Sequence, residues 1–265
     1  MQKLLVIKIG GNVIDDAASL QQFLTAFASI NTAHKILIHG GGKIATRIAD
    51  KLGIESHYSQ GRRITDEATL DVVTMVYGGL VNKQIVAQLQ AAGCNAIGLT
   101  GADANLIPAT KRPVTTIDYG WAGDVNPAHI PAHTLQNLLQ AGLTPVFAPL
   151  THNGQGRMLN TNADTIASAL AISLSVHFEV RLMYCFEKPG VLLNVEDETS
   201  VITRLNPANY AQLKAEGALF EGIIPKIDNA FSAINAGVHE VLIGQASQLL
   251  QNTGSQTLGT LIVPS

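Results

Sequence analysis

Val6-Ile7-Lys8-Ile9-Gly10-Gly11-Asn12 reads as a buried strand that runs into a glycine turn, with one lysine inside the apolar run. A full charge in such a place is costly unless something anionic compensates it. Two adjacent glycines let the chain turn tightly and let a ligand approach main-chain N–H groups. An amine beside bare amides at the C-terminal end of a strand is the make-up of a phosphate site. The same residues also suit a plain alternative, an edge-strand lysine that reaches solvent before an ordinary Gly-Gly turn. The rest of the chain has to decide between them.

Outward from this stretch, strand and helix patterns alternate, the signature of a mostly parallel sheet covered by helices. Asp15 or Asp16 is placed to cap a helix that runs to about Ile30. Lys35-Ile36-Leu37-Ile38-His39 is the second strand, and it ends in Gly40-Gly41-Gly42-Lys43. The amphipathic helix that follows, through Leu52, begins with unpaired N–H groups and a positive dipole end. A polar loop over 53–65 carries Gly61-Arg62-Arg63.

A long helix over 66–92 is apolar almost all round its middle, at Val72, Val73, Met75, Val76, Tyr77, Leu80 and Val81. Such a helix is either deeply buried or packed on a partner, and a homodimer through it is the expectation. Further strands are expected at 95–99, 144–148, 180–185, 239–244 and 259–263, with a hairpin within 103–125. Helices are expected from Pro127 to near Gly142, up to Ser175, from Pro207 to near Gly217, and from a Gly222–Ile227 lead-in through Ala236. A soft boundary near residue 175 divides an N-terminal lobe, 1–175, from a C-terminal lobe, 176–265.

The bulk numbers narrow the class. With 265 residues, 46% of them hydrophobic and 14% charged, the chain has the means for a sizeable core. A net charge of −3 argues against nucleic acid, which draws a basic stripe. No apolar run approaches the roughly 20 residues that span a bilayer. Lys8 interrupts the only stretch that resembles a signal peptide. Cys94 and Cys185 lie far apart without metal spacing, as free thiols of a cytoplasmic protein do, and no metal ligand set is expected.

Neither glycine loop matches a familiar phosphate motif. The dinucleotide fingerprint needs Gly-x-Gly-x-x-Gly, which is absent. A P-loop would need glycine at Leu37 and Ser or Thr at Ile44. His39-Gly40-Gly41-Gly42 is like a lipase oxyanion loop, but no Gly-x-Ser-x-Gly elbow accompanies it.

Five stretches in order carry a resemblance: Lys8-Ile9-Gly10-Gly11, His39-Gly40-Gly41-Gly42, Gly61-Arg62-Arg63-Ile64-Thr65, Asn160-Thr161-Asn162-Ala163-Asp164 and Ile224-Pro225-Lys226. Together they resemble the ordered signature of the amino acid kinase family, most closely its acetylglutamate kinase branch, over essentially the whole chain. The resemblance implies an open three-layer αβα sandwich with the acceptor site in the N-terminal lobe and ATP on the C-terminal lobe. It implies ATP-dependent phosphorylation of the side-chain carboxylate of N-acetyl-L-glutamate, in arginine biosynthesis, with Mg²⁺ carried by the nucleotide.

The same resemblance implies the roles. Lys8 and Lys226 stabilise the phosphoryl group in transfer, and Asp164 holds the two lysines. Gly10 and Gly11 give amides to the nucleotide phosphates. Gly41 and Gly42 face the acyl-amino-acid acceptor. Arg63 clamps its α-carboxylate, a task for a planar bidentate donor, and Asn160 binds the α-carboxylate or the amide. The acceptor carboxylate, with a pKa near about 4.3, is already ionised at neutral pH, so no general base is required.

Some residues keep plainer readings. Asp164 also suits a helix cap, Arg63 a solvated loop charge, and His39 a packed or hydrogen-bonded core histidine. Trp121 suits hairpin packing, or a place near the substrate's acyl group. One region departs from the family: where its members show a Thr/Ser-Asp-Val-x-Gly turn, this chain has Cys185-Phe186-Glu187-Lys188-Pro189-Gly190. Gly190 is kept and Glu187 replaces the acid as candidate nucleotide contacts. The chain starts at its first strand, without the extra helix of arginine-inhibited hexamers, so a dimer without that feedback is expected. The acyl group stays open: N-succinylglutamate is an alternative acceptor, for which Lys111 or Arg112 could serve as cation. A glutamate, aspartate or carbamate kinase, or a non-catalytic nucleotide-binding regulator, are the remaining alternatives.

Overall fold

A computed structural model describes residues 1–31, 33–219 and 223–264; the expected lead-in at Gly222 lies outside them. Lys8 sits in the middle of the sheet rather than at its edge. The strand Gln2–Ile9 pairs in parallel with His34–His39 on one side and with Phe178–Phe186 on the other. Eight strands form the sheet, in the order Arg204–Leu205, Thr260–Ile262, Glu240–Gln245, Phe178–Phe186, Gln2–Ile9, His34–His39, Thr144–Phe147, Ala96–Leu99. Of these pairs only Glu240–Gln245 with Thr260–Ile262 is antiparallel. The sheet passes through both segments on either side of residue 175.

The pleat assigns the faces. Successive side chains on a strand point to opposite sides. Leu4 and Val6 join a core with Ile166, Leu170 and Leu174 of the helix Ala163–Leu174, and with Leu135 and Ala230 of the helices Ala132–Gln140 and Ile224–Asn235. Leu5, Ile7 and Ile9 join the opposite core, with Phe23, Phe27, Ala45, Val73 and Ile85. Two helical layers thus sandwich the sheet. Lys8 continues the Leu4–Val6 series, so it leans toward the start of the helix Ala163–Leu174.

Several elements differ from the expectations in instructive ways. The helix expected from Pro127 is split into a 3-10 turn, Pro127–His129, and a helix, Ala132–Gln140. Ile130 between them is extended (φ −75°, ψ 126°), as the residue before a proline tends to be. The long helix exists, but its middle, Thr74–Val81, is a π-helix flanked by Glu67–Val73 and Asn82–Ala91. Five of its seven apolar middle residues are buried internally. Only Met75 and Leu80 stay exposed, at 57% and 41%.

The strand order reverses beside Gln2–Ile9, and the crevice at the strand C-termini there is the favoured ligand site of open α/β sheets. Short hairpins surround it. They are Tyr58–Ser59 with Arg62–Arg63, Ala109–Lys111 with Gly123–Val125, and Leu150–His152 with Met158–Asn160. Isolated bridges tie them together at Thr65–Gly120 and Ala122–Asn160. Gly120 has φ 64°, and a Cβ there would stand 2.1 Å from the carbonyl oxygen of Thr65. Replacing Gly120 by Ala is expected to destabilise the fold by roughly 1–3 kcal/mol, the usual cost of overpacking, read from chemical unfolding. An unchanged midpoint would mean that the hairpin is free to move away from Thr65.

Candidate active site

The centre of the crevice is a carboxylate between two amines. Lys8 Nζ lies 2.8 Å from Asp164 Oδ1, and Lys226 Nζ lies 2.9 Å from Asp164 Oδ2. The Lys226 contact is a directed hydrogen bond. The Lys8 contact is an ion pair. The side chains of Lys8 and Asp164 are each 14% exposed and that of Lys226 32%.

Local structure explains how the three meet. Asn162 caps the helix Ala163–Leu174, accepting from the N–H groups of Asp164 and Thr165 at 2.8 and 3.2 Å. Asp164 is therefore not the cap, and its side chain is free to turn into the crevice. Its place in the first turn also puts the carboxylate at the positive dipole end. Lys226 stands in the first turn of the helix Ile224–Asn235, where a cation is disfavoured by the same dipole; Asp164 offsets that. Burial opposes ionisation of Asp164, but Lys8 and Lys226 outweigh it and hold its pKa down at about 2. The residual charge of the triad is positive; Lys8 and Asp164 line the adjoining cleft, and Lys226 lies outside its lining.

A cleft of about 230 Å³ opens from this triad. It brings together Lys8, Asp164, Gly41, Gly42, Arg63 and Asn160 from the sequence-based candidates. Arg63 is a buried site residue and not a solvated loop charge. Its guanidinium donates to Ser56 Oγ at 2.7 Å, and to Gly42 O and Thr46 Oγ1 at 2.9 Å each. Three of its five N–H groups are thus taken and two are left for a ligand. Asn160 donates to Thr65 Oγ1 at 2.9 Å, which leaves its carbonyl oxygen as an acceptor.

The phosphate-side candidates lie outside that cleft. The Gly10 amide is used within the sheet, donating to Cys185 O at 2.9 Å. Gly11 opens a short helix, Gly11–Asp15, with nothing within 4 Å of where a Cβ would stand. Glu187 is exposed and accepts from Asn12 Nδ2 at 2.8 Å. Gly190 is packed against the start of the strand Thr260–Ile262, where a Cβ would come 2.7 Å from Thr260 Oγ1. The Cys185 thiol, buried, is pushed up to about 12, so it stays protonated.

Sequence reading missed several cleft residues: Tyr58, Tyr77, Tyr119, Gly123 and Pro149. Tyr58, Tyr119 and Pro149 come from loops and hairpins and Tyr77 from the π-segment, with no local signal to mark them, whereas Gly123 belongs to Gly120-Trp121-Ala122-Gly123-Asp124, a stretch that resembles a family hairpin. Arg112 was singled out only as a candidate for an acyl-group cation. It lines the cleft, and its Nε and one terminal nitrogen reach the Asp124 carboxylate at 2.5–3.2 Å. The Trp121 ring lies outside the lining. Its Nε1 donates to Glu67 at 2.8 Å, and Lys111 and Arg157 stand 4.6 and 4.5 Å from its centroid.

Known proteins resemble this chain in sequence and in fold. The sequence profile of the amino acid kinase family matches residues 3–245. An acetylglutamate kinase of Cytophaga hutchinsonii is 56% identical over 265 residues, covering 99% of each chain. One from Methanopyrus kandleri is 37% identical, covering 94% of this chain and 98% of that one. Among solved structures, the N-acetylglutamate synthase of Neisseria gonorrhoeae superposes with a TM-score of 0.81 at 25% identity, covering 100% of this chain and 60% of that one. A carbamate kinase of Giardia lamblia superposes with a TM-score of 0.71 at 14% identity, covering 100% of this chain and 99% of that one; that likeness is one of fold.

The Asp164 shift has a measurable consequence. Its folded-state pKa lies below the ordinary 3.8, so the folded state gains stability above about pH 4 and loses it as pH falls toward about 2. The gain is on the order of 2 kcal/mol. Asp164→Asn should lower neutral-pH stability and flatten the acid limb between those two pH values in a urea-unfolding series. An acid limb identical to that of the parent would refute the assignment of this carboxylate to the lysine pair.

Proposed function

The chain belongs to the amino acid kinase family, and from that premise we propose that it transfers the γ-phosphoryl group of ATP to the side-chain carboxylate of N-acetyl-L-glutamate, a step of arginine biosynthesis. The observation that carries this reading is the Lys8–Asp164–Lys226 triad beside a cleft of metabolite size. Two amines held by one carboxylate suit a group that gains charge in transit, whereas a protein that only binds nucleotide gains nothing from the pair.

A carboxylate oxygen of the acceptor attacks the γ-phosphorus, and the bond to the leaving oxygen of ADP breaks. No proton moves, which agrees with a cleft that offers cations and N–H groups and no histidine dyad. Lys8 and Lys226 stabilise the charge spread over the phosphoryl oxygens, and Asp164 keeps both amines in place. Arg63, with two N–H groups to spare, holds the α-carboxylate, and Asn160 the α-carboxylate or the amide. Gly41 and Gly42 line the acceptor side; Gly11 and its neighbour Gly10 border the nucleotide, with Glu187 and Gly190 on its far side. Residues 1–175 supply the acceptor half and 176–265 the nucleotide half. The described residues hold no group of three or more His, Cys, Asp or Glu side chains placed to bind a metal. Mg²⁺ would be carried by the nucleotide phosphates, where it neutralises charge.

Two finer points belong to the same reading. Exposed Met75 and Leu80 on the long helix support a homodimer packed through it. No helix among the described residues is long and apolar enough to cross a membrane, and two free buried thiols suit the cytoplasm. N-succinylglutamate is the second reading for the acceptor. Arg112 supports it, since a terminal carboxylate on the acyl group needs a cation near the hairpin.

An ADP-release assay across N-acetylglutamate, N-succinylglutamate, glutamate, aspartate and carbamate separates these readings. N-acetylglutamate is expected to give the highest kcat/KM. Lys8→Ala or Lys226→Ala should lower turnover at least ~100-fold, the order seen when a transition-state donor is lost. Near-normal turnover in either variant would sink the assigned roles. Preference for the succinyl acceptor, abolished in Arg112→Ala, would move the assignment to the second reading.

A further inference from the structure

Beneath the second glycine turn lies a buried polar pair that the phosphoryl-transfer residues do not use. His39 and Asn82 are both fully shielded from solvent. His39 Nδ1 is 2.7 Å from the carbonyl oxygen of Gly40, and His39 Nε2 is 3.1 Å from Asn82 Nδ2. Asn82 Nδ2 also donates to the carbonyl of Val146 at 2.9 Å. A carbonyl only accepts and an amide NH₂ only donates, so one protonation pattern fits these three contacts. Nδ1 carries the hydrogen and gives it to Gly40, while bare Nε2 accepts from Asn82. Burial pushes the His39 pKa down to about 4, which keeps the ring neutral in that pattern.

The π-segment explains how Asn82 reaches this place. Tyr77 and Asn82 are five residues apart. On an α-helix they would point roughly 140° from each other, at about 100° per residue. Here the Asn82 N–H reaches back to the Tyr77 carbonyl, the five-residue bond of a π-helix, which stacks the two on one face. Both then meet the turn. Gly41 has φ 148°, and a Cβ there would stand 3.1 Å from the Tyr77 ring and 3.5 Å from Val81. The wider helical turn therefore supports the glycine turn from below with a ring, a methyl group and a hydrogen-bonded amide. Strained helical turns of this type recur at functional sites.

We propose that His39 and Asn82, carried under the Gly40–Gly42 turn by the π-segment, are positioning residues that set the acceptor-side amides of the kinase. The consequence for turnover rests on the kinase reading above; the hydrogen-bond pattern does not. Displacing the turn by about 1 Å would cost roughly 100-fold in kcat/KM. The loss would fall on the acceptor and spare the nucleotide, whose contacts lie on other turns.

The experiment uses the full chain, with His39→Leu and Asn82→Asp to break the pair. His39→Asn serves as the conservative variant, since its amide can still donate to Gly40. Nitrogen NMR of the imidazole is expected to show the neutral Nδ1–H tautomer from about pH 5.5 to 8, the span in which a free imidazole titrates. Hydrogen exchange at the Ala45 amide, which donates to Gly41 O at 3.0 Å, should quicken in the two disruptive variants and recover in His39→Asn. KM for the acceptor should rise at least ~10-fold in the same two variants, with KM for ATP unchanged. An Nε2–H tautomer, or a ring that titrates in that span, would overturn the proposal. So would acceptor and ATP constants that worsen together in step with a lowered Tm, because that is the mark of general loosening. If no acceptor is turned over by the parent protein, the kinase reading fails, while tautomer and exchange still decide the pair.

Discussion

Everything at the crevice depends on one carboxylate keeping two ammonium groups side by side. Lys8 ends the first strand and Lys226 opens a late helix, and Asp164 lies within 3 Å of both. Without that anion, two like charges in a partly buried place would repel and each would carry an uncompensated desolvation cost. With it, the amines stand together in a site that is still net positive. On the proposed reading, the arrangement holds an attraction for a phosphoryl group in the resting protein, so little reorganisation is needed when charge develops.

The surrounding fold serves that point. The strand order reverses at Gln2–Ile9, which opens the crevice, and Asn162 takes over the capping duty that would otherwise occupy Asp164. Around the rim, hairpins from three parts of the chain supply the walls, tied together by short bridges. Arg63 shows how such a wall is kept rigid: three of its donors are anchored to Ser56, Gly42 and Thr46, so ligand binding has little side-chain freedom left to remove. Chemistry that needs no proton transfer needs this kind of rigidity more than it needs a titrating base.

Much of this was legible along the chain because it is written in local terms. A charge inside an apolar run, glycines at two strand ends and the alternation of strand and helix are all short-range patterns, and each follows from backbone geometry and desolvation. The resemblance to the kinase family joined five of them in order, and the matched relatives agree with it. What was not legible has a common cause. The π-turn at Thr74–Val81, the break at Ile130–Pro131 and the cleft tyrosines depend on neighbours that are distant in sequence. His39 could be read as a core histidine, but its partner Asn82 lies 43 residues away and bears no local mark.

The sequence by itself therefore determined the class of fold, the family and the candidate cleft residues, since hydrophobic period and glycine turns act over a few residues. Only the tertiary structure decided that Lys8 lies at the centre of the sheet, that Asp164 binds two lysines instead of capping its helix, and that a buried histidine stands under the second glycine turn. Those outcomes rest on which strands pair and which helix turns face one another, and pairing is a long-range choice made by the packed chain as a whole.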